Sequence, residues 1–368
     1  MTGHLPTARE VEDDLTLSAL SISLRVRRLP AWGVPALTVA AIAIALLLNM
    51  TTGVAGVAGT CVVAVIAYSV MQTAWSFTIE GRRHAIDRLA TNAVYATFLI
   101  AVIPLISVLW TVVSKGITVL SFSFLTHSNR NVLNTEPGGG IYHALVGTFE
   151  QVLIAAMIGI PIGVLTAIYL VEYGDATVRS RHLKRAISFF VDVMTGVPSV
   201  VVGLFVYTAL ILTLGFPRSG FMAAIALFIL MLPVVVRSTE EMLKLVPRDL
   251  REASYALGIP KWRTILKVVL PTALPGIITG SMLAVARAAG ETAPLLLVTF
   301  VTDSINFNPF DGKAGQNALP LYIWQQIGFG TDASTNRAWG AALVLILFVM
   351  ILYLSAKLMG RFAGVKNR

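Results

Sequence analysis

The chain has 368 residues, of which 56% are hydrophobic and only 13% charged, with a formal net charge of +9 and a mean hydropathy of +0.78. A soluble protein carries roughly 25% charged residues, so this composition describes an all-α, polytopic transmembrane helical bundle. It excludes a nucleic-acid reading of the basic excess, since no soluble basic domain is there to host one and cytoplasmic loops of membrane proteins are basic anyway. The single cysteine, Cys61, excludes an intrachain disulfide and any multi-cysteine metal site.

Residues 1–30 mix Glu10, Glu12, Asp13 and Asp14 with Arg25, Arg27 and Arg28 and hold no sustained apolar run, which predicts a polar cytoplasmic segment. The apolar run at 31–48 follows those arginines as a signal peptide core would. A second run at 54–74 comes after a short turn at 49–53, and the pair predicts a retained N-terminal hairpin over 31–75. Six further spans are predicted at 91–113, 144–171, 186–212, 221–236, 272–301 and 339–359, a six-span core over 90–360. The span at 186–212 carries Gly196 and Pro198 inside it, where a missing backbone N–H predicts a break, lined by Pro198 and Ser199.

Charge sets the orientation. With the N-terminus inside, 22 of the 28 lysines and arginines fall on the cytoplasmic side and 5 outside, leaving Arg287 within a span. That asymmetry predicts a multi-pass protein of the cell membrane with both termini cytoplasmic. The outer loops are 114–143, with a flexible EPGGG, and 302–338, with the aromatic stretch LPLYIWQQIGF. In the latter, Tyr322 and Trp324 fit either interfacial anchoring or docking of an outside partner.

The longest inner loop, 237–271, predicts a short helix after Pro247, with Asp249 and Glu252 near its positive end, a stop at Gly258 and no continuation past Pro260. Apolar residues at Trp262, Ile265, Leu266 and Val269 then predict an amphipathic helix against the membrane face. The order Glu252-Ala253-Ser254, three residues, Gly258, nine residues, Val268-Val269-Leu270-Pro271 resembles the signature loop of ABC importer permeases, E-A-A-x3-G-x9-I-x-L-P. Ser254 replaces the second alanine and Val268 the isoleucine. The resemblance implies that the helix around Glu252, Ala253, Ser254, Leu257 and Gly258 inserts into a cleft on an ATP-hydrolysing subunit. No G-x-x-x-x-G-K-[ST] occurs in the chain, so the expectation is a transport subunit that is not itself an enzyme, with ATP and magnesium bound by a partner and no cofactor of its own.

The span at 272–301 holds Arg287 and Glu291 near its middle. On a continuous helix, residues four apart project within roughly 40° of each other. An ionisable pair at mid-membrane is either a self-neutralising ion pair or marks a polar pathway. As an anion site, the guanidinium would hold a tetrahedral oxyanion through two parallel hydrogen bonds. Glu291 would accept a hydrogen bond from an anion that still carries a proton, as phosphate does with its second pKa of about 6. Sulfate does not meet that condition at neutral pH.

ARAAGETAPLLLV around Arg287, Glu291 and Thr292, with GTFEQVLIAAMIGIPIGVLTAIYLVEY from Gly147 and DVMTGVPSVVVGLF from Asp192, resembles the A-type permease family of bacterial phosphate-specific ABC transporters. The resemblance covers about residues 90–360. It implies a homologous second permease, a dimer of ATP-binding subunits and an extracytoplasmic phosphate-binding protein as partners, with Arg287 and Glu291 in the substrate path. Glu150 and Asp192 fall inside predicted spans and fit either the same path or a local role, capping a helix break or pairing with a cytoplasmic-side base. The same architecture also suits sulfate or molybdate. A proton-coupled secondary transporter using Glu291 and a non-transporting scaffold are the readings from other classes.

Overall fold

The computed structural model describes residues 30, 32–52 and 57–365, so the expected polar N-terminal segment and Gly53 of the expected turn lie outside it. Among the described residues there are helices and no strands. In chain order these are α1 (Gly33–Thr52), α2 (Val57–Ile79), α3 (Arg82–Val119) and a short α4 (Phe122–Thr126). Next come α5 (Tyr142–Tyr173), α6 (Val178–Gly196), α7 (Ser199–Thr213) and α8 (Gly220–Leu245). A short α9 (Arg248–Ala256) leads to α10 (Lys261–Ala289) and α11 (Ala293–Val298), and the chain closes with α12 (Leu319–Phe329) and α13 (Asp332–Val365). Seven helices (α1, α2, α3, α5, α8, α10 and α13) are long and apolar enough to cross a membrane. The pair α6–α7 makes an eighth only as a span bent by 111°.

The chain packs as two units divided after Trp110, within α3. In the first, helices apolar on nearly every face are tied by a polar seam. Asn92 Nδ2 donates to Gln72 Oε1 at 2.7 Å, and Arg88 grips Glu80 through two N–H groups while Ser76 donates to the same carboxylate. The Asn92–Gln72 bond, between two predicted spans, would have no water competitor inside a bilayer.

In the second unit α8 is the central helix, with 56% of its apolar window buried against 28% for α5 and 33% for α10. The cause is legible in residue size. Gly159 and Gly163 on α5, and Gly276 and Gly280 on α10, are four apart and form flat strips that let both helices close onto α8. A Cβ at Gly163 would stand 2.6 Å from Val235 Cγ1, and one at Gly276 would stand 2.2 Å from Met242 Sδ. Val152, Ala155, Leu227, Met231, Ala284 and Ala288 fill the space between.

Two expectations change. Residues 262–270 do not lie apart as a surface helix but form the first turns of α10, with Ile265 and Val269 buried on its inner face and Trp262 and Leu266 exposed. Tyr322 is fully buried, edge-on to His143 at 5.2 Å, so it meets neither headgroups nor a partner, whereas Trp324 is exposed.

Substituting Gly163→Leu should overpack the α5–α8 contact and cost at least about 2 kcal/mol, read as a lowered thermal midpoint of the purified protein. Gly196→Ala, where a Cβ meets nothing within 4 Å, should leave the midpoint unchanged.

Candidate functional site

The packing register gives Arg287 its depth. α10 runs antiparallel to α8, with Gly276 against Met242 and Gly280 against Ser238. Seven residues further along α10, and seven back along α8, Arg287 falls opposite Met231. That position is roughly 16 Å from the Gly220 end of α8 and 21 Å from the Leu245 end. Arg287 is thus near mid-depth, and its side chain is 68% exposed, turned away from the chain's own core.

The helix does not continue through the pair. α10 ends at Ala289, Gly290 caps it, and α11 restarts at Ala293. Glycine is a poor helix former, and Pro294 lacks the N–H that would bond back to the Gly290 carbonyl, so the two residues together open the chain at 290–292. Glu291 therefore leaves the helix and is largely buried, 4.0 Å from the Arg287 Nε through Oε1. That is the outer limit of an ion pair and too long for a hydrogen bond. Thr292 is half-buried at the head of α11, its carbonyl accepting from Leu296 N.

A second break matches the first. α6 ends at Gly196, and Pro198 caps α7, whose first residue is Ser199. The outward halves α7 and α11 pack closely, since a Cβ on Gly203 would lie 2.6 Å from Pro294 Cα. Counting down from that contact, the inner ends of both half-helices, with Ser199 on one and Thr292 on the other, come to a similar level.

Glu150 and Asp192 lie elsewhere. Glu150, two turns into α5, accepts from Gln316 Nε2 at 2.6 Å, and Gln316 Oε1 in turn accepts from Gln151, so this carboxylate anchors the outer loop. Asp192, on α6, accepts from Arg237 Nη2, and Arg237 also pairs with Glu240 and bonds Ser188. Arg237 stands in the last third of α8, so Asp192 pairs with a base near the end of that helix that leads into α9.

In the loop between α8 and α10, α9 starts and stops where expected. Pro247 caps it, Asp249 lies in its first turn, and Gly258 follows it with φ +72°, a left-handed value that suits glycine. Ser254 is buried and shares a hydrogen bond of 2.8 Å with Thr264 on α10. The departure from alanine thereby acquires a purpose, because the hydroxyl ties the short helix to the long one. Glu252 and Ala253 are exposed, and Leu257 is 79% exposed.

Sequence spacing gave no hint of the root of α9. Arg251 donates to Glu172 at the end of α5 through Nε and Nη2, and to the carbonyls of Val246 and Leu243. Lys261 also reaches the Glu172 carbonyl. These groups line a polar cleft of about 710 Å³ with Lys244, Glu240 and Tyr255. Burial, and then the Glu172 carboxylate, push the Tyr255 phenol above its ordinary range.

Comparison with known proteins places these features. Residues 159–363 match the family described as binding-protein-dependent transport system inner membrane component. The chain is 46% identical to the phosphate transport system permease protein PstA 1 of Mycobacterium tuberculosis (strain CDC 1551 / Oshkosh), covering 78% of this chain and 92% of that one. It is 49% identical to phosphate transport system permease protein PstA of Mycobacterium leprae, covering 74% and 87%. A bacterial alginate ABC transporter, solved with its alginate pentasaccharide-bound periplasmic protein, has a chain that superposes with a TM-score of 0.50 at 14% identity. The superposition covers 77% of this chain and 99% of that one and shows a shared fold.

Removing one side of the α9 root leaves the other half-buried and unpaired. Glu172→Gln and Arg251→Ala should each lower stability by about 1.5–3 kcal/mol, and the double variant should cost less than their sum, checked by thermal unfolding of the purified protein.

Proposed function

This chain belongs to the family of binding-protein-dependent transport system inner membrane components, and we propose that it is the transmembrane permease subunit of an ATP-driven phosphate importer. It forms one half of a translocation pathway whose other half is a homologous second permease. The relatives named for phosphate transport support the substrate. The observation that carries the reading is Arg287: a permanent cation near mid-depth, turned outward, on a helix that runs unbroken from the coupling loop. A guanidinium so placed needs a cover that is neither lipid nor its own chain, and a second permease facing it would enclose a polar path.

Within that path Arg287 supplies charge that no relevant pH removes, and its planar fork suits a tetrahedral oxyanion. Glu291, held 4.0 Å from it, accepts a hydrogen bond from a protonated phosphate oxygen. Thr292, Pro198 and Ser199 stand at the helix breaks, where backbone groups freed from helical bonding face the same level. An extracytoplasmic binding protein delivers phosphate, and ATP with magnesium is bound by a separate pair of subunits against the exposed face of α9, with Leu250, Ala253 and Leu257 as its apolar contacts. Both termini are cytoplasmic in this arrangement. Closure of the ATPase pair moves α9, and the Ser254–Thr264 bond passes that motion to α10.

Arg287→Gln should abolish phosphate uptake in membrane vesicles while the complex assembles at normal abundance, and retained uptake would sink the assignment. Leu257→Asp should instead release the ATPase subunits on purification, with Arg287 and the membrane-embedded packing intact.

A further inference from the structure

Arg218 sits where α7, α8 and α11 converge on the outer side. It directly precedes Ser219, whose N–H donates to the Val298 carbonyl at the end of α11. Its guanidinium carbon lies 4.7 Å from the ring centre of Tyr207 on α7 and 5.1 Å from that of Phe300, just beyond α11. Both distances are within the range of cation–π attraction, which positions the group without offering an oxygen to its donors. Among the described residues no carboxylate lies within ion-pair distance of it and no oxygen accepts from any of its N–H groups. Arg337 and Arg237, by contrast, are spent, the first on Gln326 and on the carbonyls of Glu136 and Gly138, the second on Asp192, Glu240 and Ser188.

Position adds direction to this free donor set. Tyr207 lies about two turns along α7 from Ser199, and Phe300 just beyond the far end of α11, whose near end carries Thr292. Eight residues from Ser199 to Tyr207 span roughly 12 Å. Arg218 therefore stands above the helix breaks, on the side of the packed half-helices away from Arg287, which precedes the break at 290–292.

We propose that Arg218 is an outer oxyanion station, taking a tetrahedral anion such as phosphate at the extracytoplasmic mouth before it descends to Arg287. This rests on the phosphate-import reading above. The aromatic pair keeps the fork aimed and sheds water from around it, so a bidentate hold forms there without the arginine first having to be ordered.

The test uses the complete complex in proteoliposomes, with saturating phosphate-loaded binding protein and labelled phosphate. Arg218→Gln should lower the uptake rate about tenfold or more, with docking of the binding protein unchanged. Arg218→Lys, which keeps the charge but not the fork, should fall between that variant and the parent. Parental uptake by Arg218→Gln overturns the proposal, as does a loss of docking affinity that accounts for the loss of uptake. If Arg218→Gln does not assemble, Arg218→Lys decides, and uptake equal to the parent's overturns it. Arg287→Gln in parallel separates the two levels: normal transport there fails the import reading itself, whereas a dead Arg287→Gln beside a fully active Arg218→Gln fails the outer station alone.

Discussion

Four glycines let two helices approach a third so closely that side chains of α8 rest against bare backbone, and most of the second unit follows from that approach. Lipid tails are as apolar as leucine, so close packing has to supply what the hydrophobic effect supplies in water. With Gly159 and Gly163 on one side of α8 and Gly276 and Gly280 on the other, the register of three helices is set to within a residue. Arg287 acquires its depth from that register, since its own helix begins well inside the cytoplasmic loop. The breaks at 197–198 and 290–292 are tolerable for the same reason: their outward halves lie against each other and against α8 instead of against lipid.

Charge is managed in two ways along the chain. Around the root of α9 and the adjoining end of α8 two half-buried arginines are saturated: Arg251 by Glu172 and two carbonyls, Arg237 by two carboxylates and a serine. Such groups fix geometry, because breaking one side leaves the other stranded. Near mid-depth the opposite holds. Arg287 and Glu291 stand at a distance that attracts without satisfying either, so both keep capacity for something else. Saturated pairs serve as fasteners, and the unsaturated pair is the one that the proposed phosphate path would use.

Much of this was legible in residue order, for physical reasons that differ by feature. Apolar length reveals spans because the bilayer fixes how long they must be, and Pro198 reveals a break because its missing N–H acts locally. The limits of α9 are equally local, read from Pro247, Asp249 and Gly258. The break after Ala289 was not visible, since the apolar run continues straight through Gly290 to Val298 and only the combination with Pro294 opens it. Contacts between distant segments left no spacing to read. Asp192 finds Arg237 across 45 residues and Glu172 finds Arg251 across 79, so Asp192 looked like a candidate pathway group while Arg251 drew no notice. The burial of Tyr322 depends on His143 from another helix and is invisible for the same reason.

The outward-turned Arg287 bears on the life of the subunit before it ever works. Alone in a bilayer, the chain would hold Arg287 against hydrocarbon, where a central arginine costs about 2.5–3.5 kcal/mol, eased only by Glu291 at 4.0 Å. Assembly removes that cost, so the group that makes the complex useful also makes the solitary subunit uncomfortable.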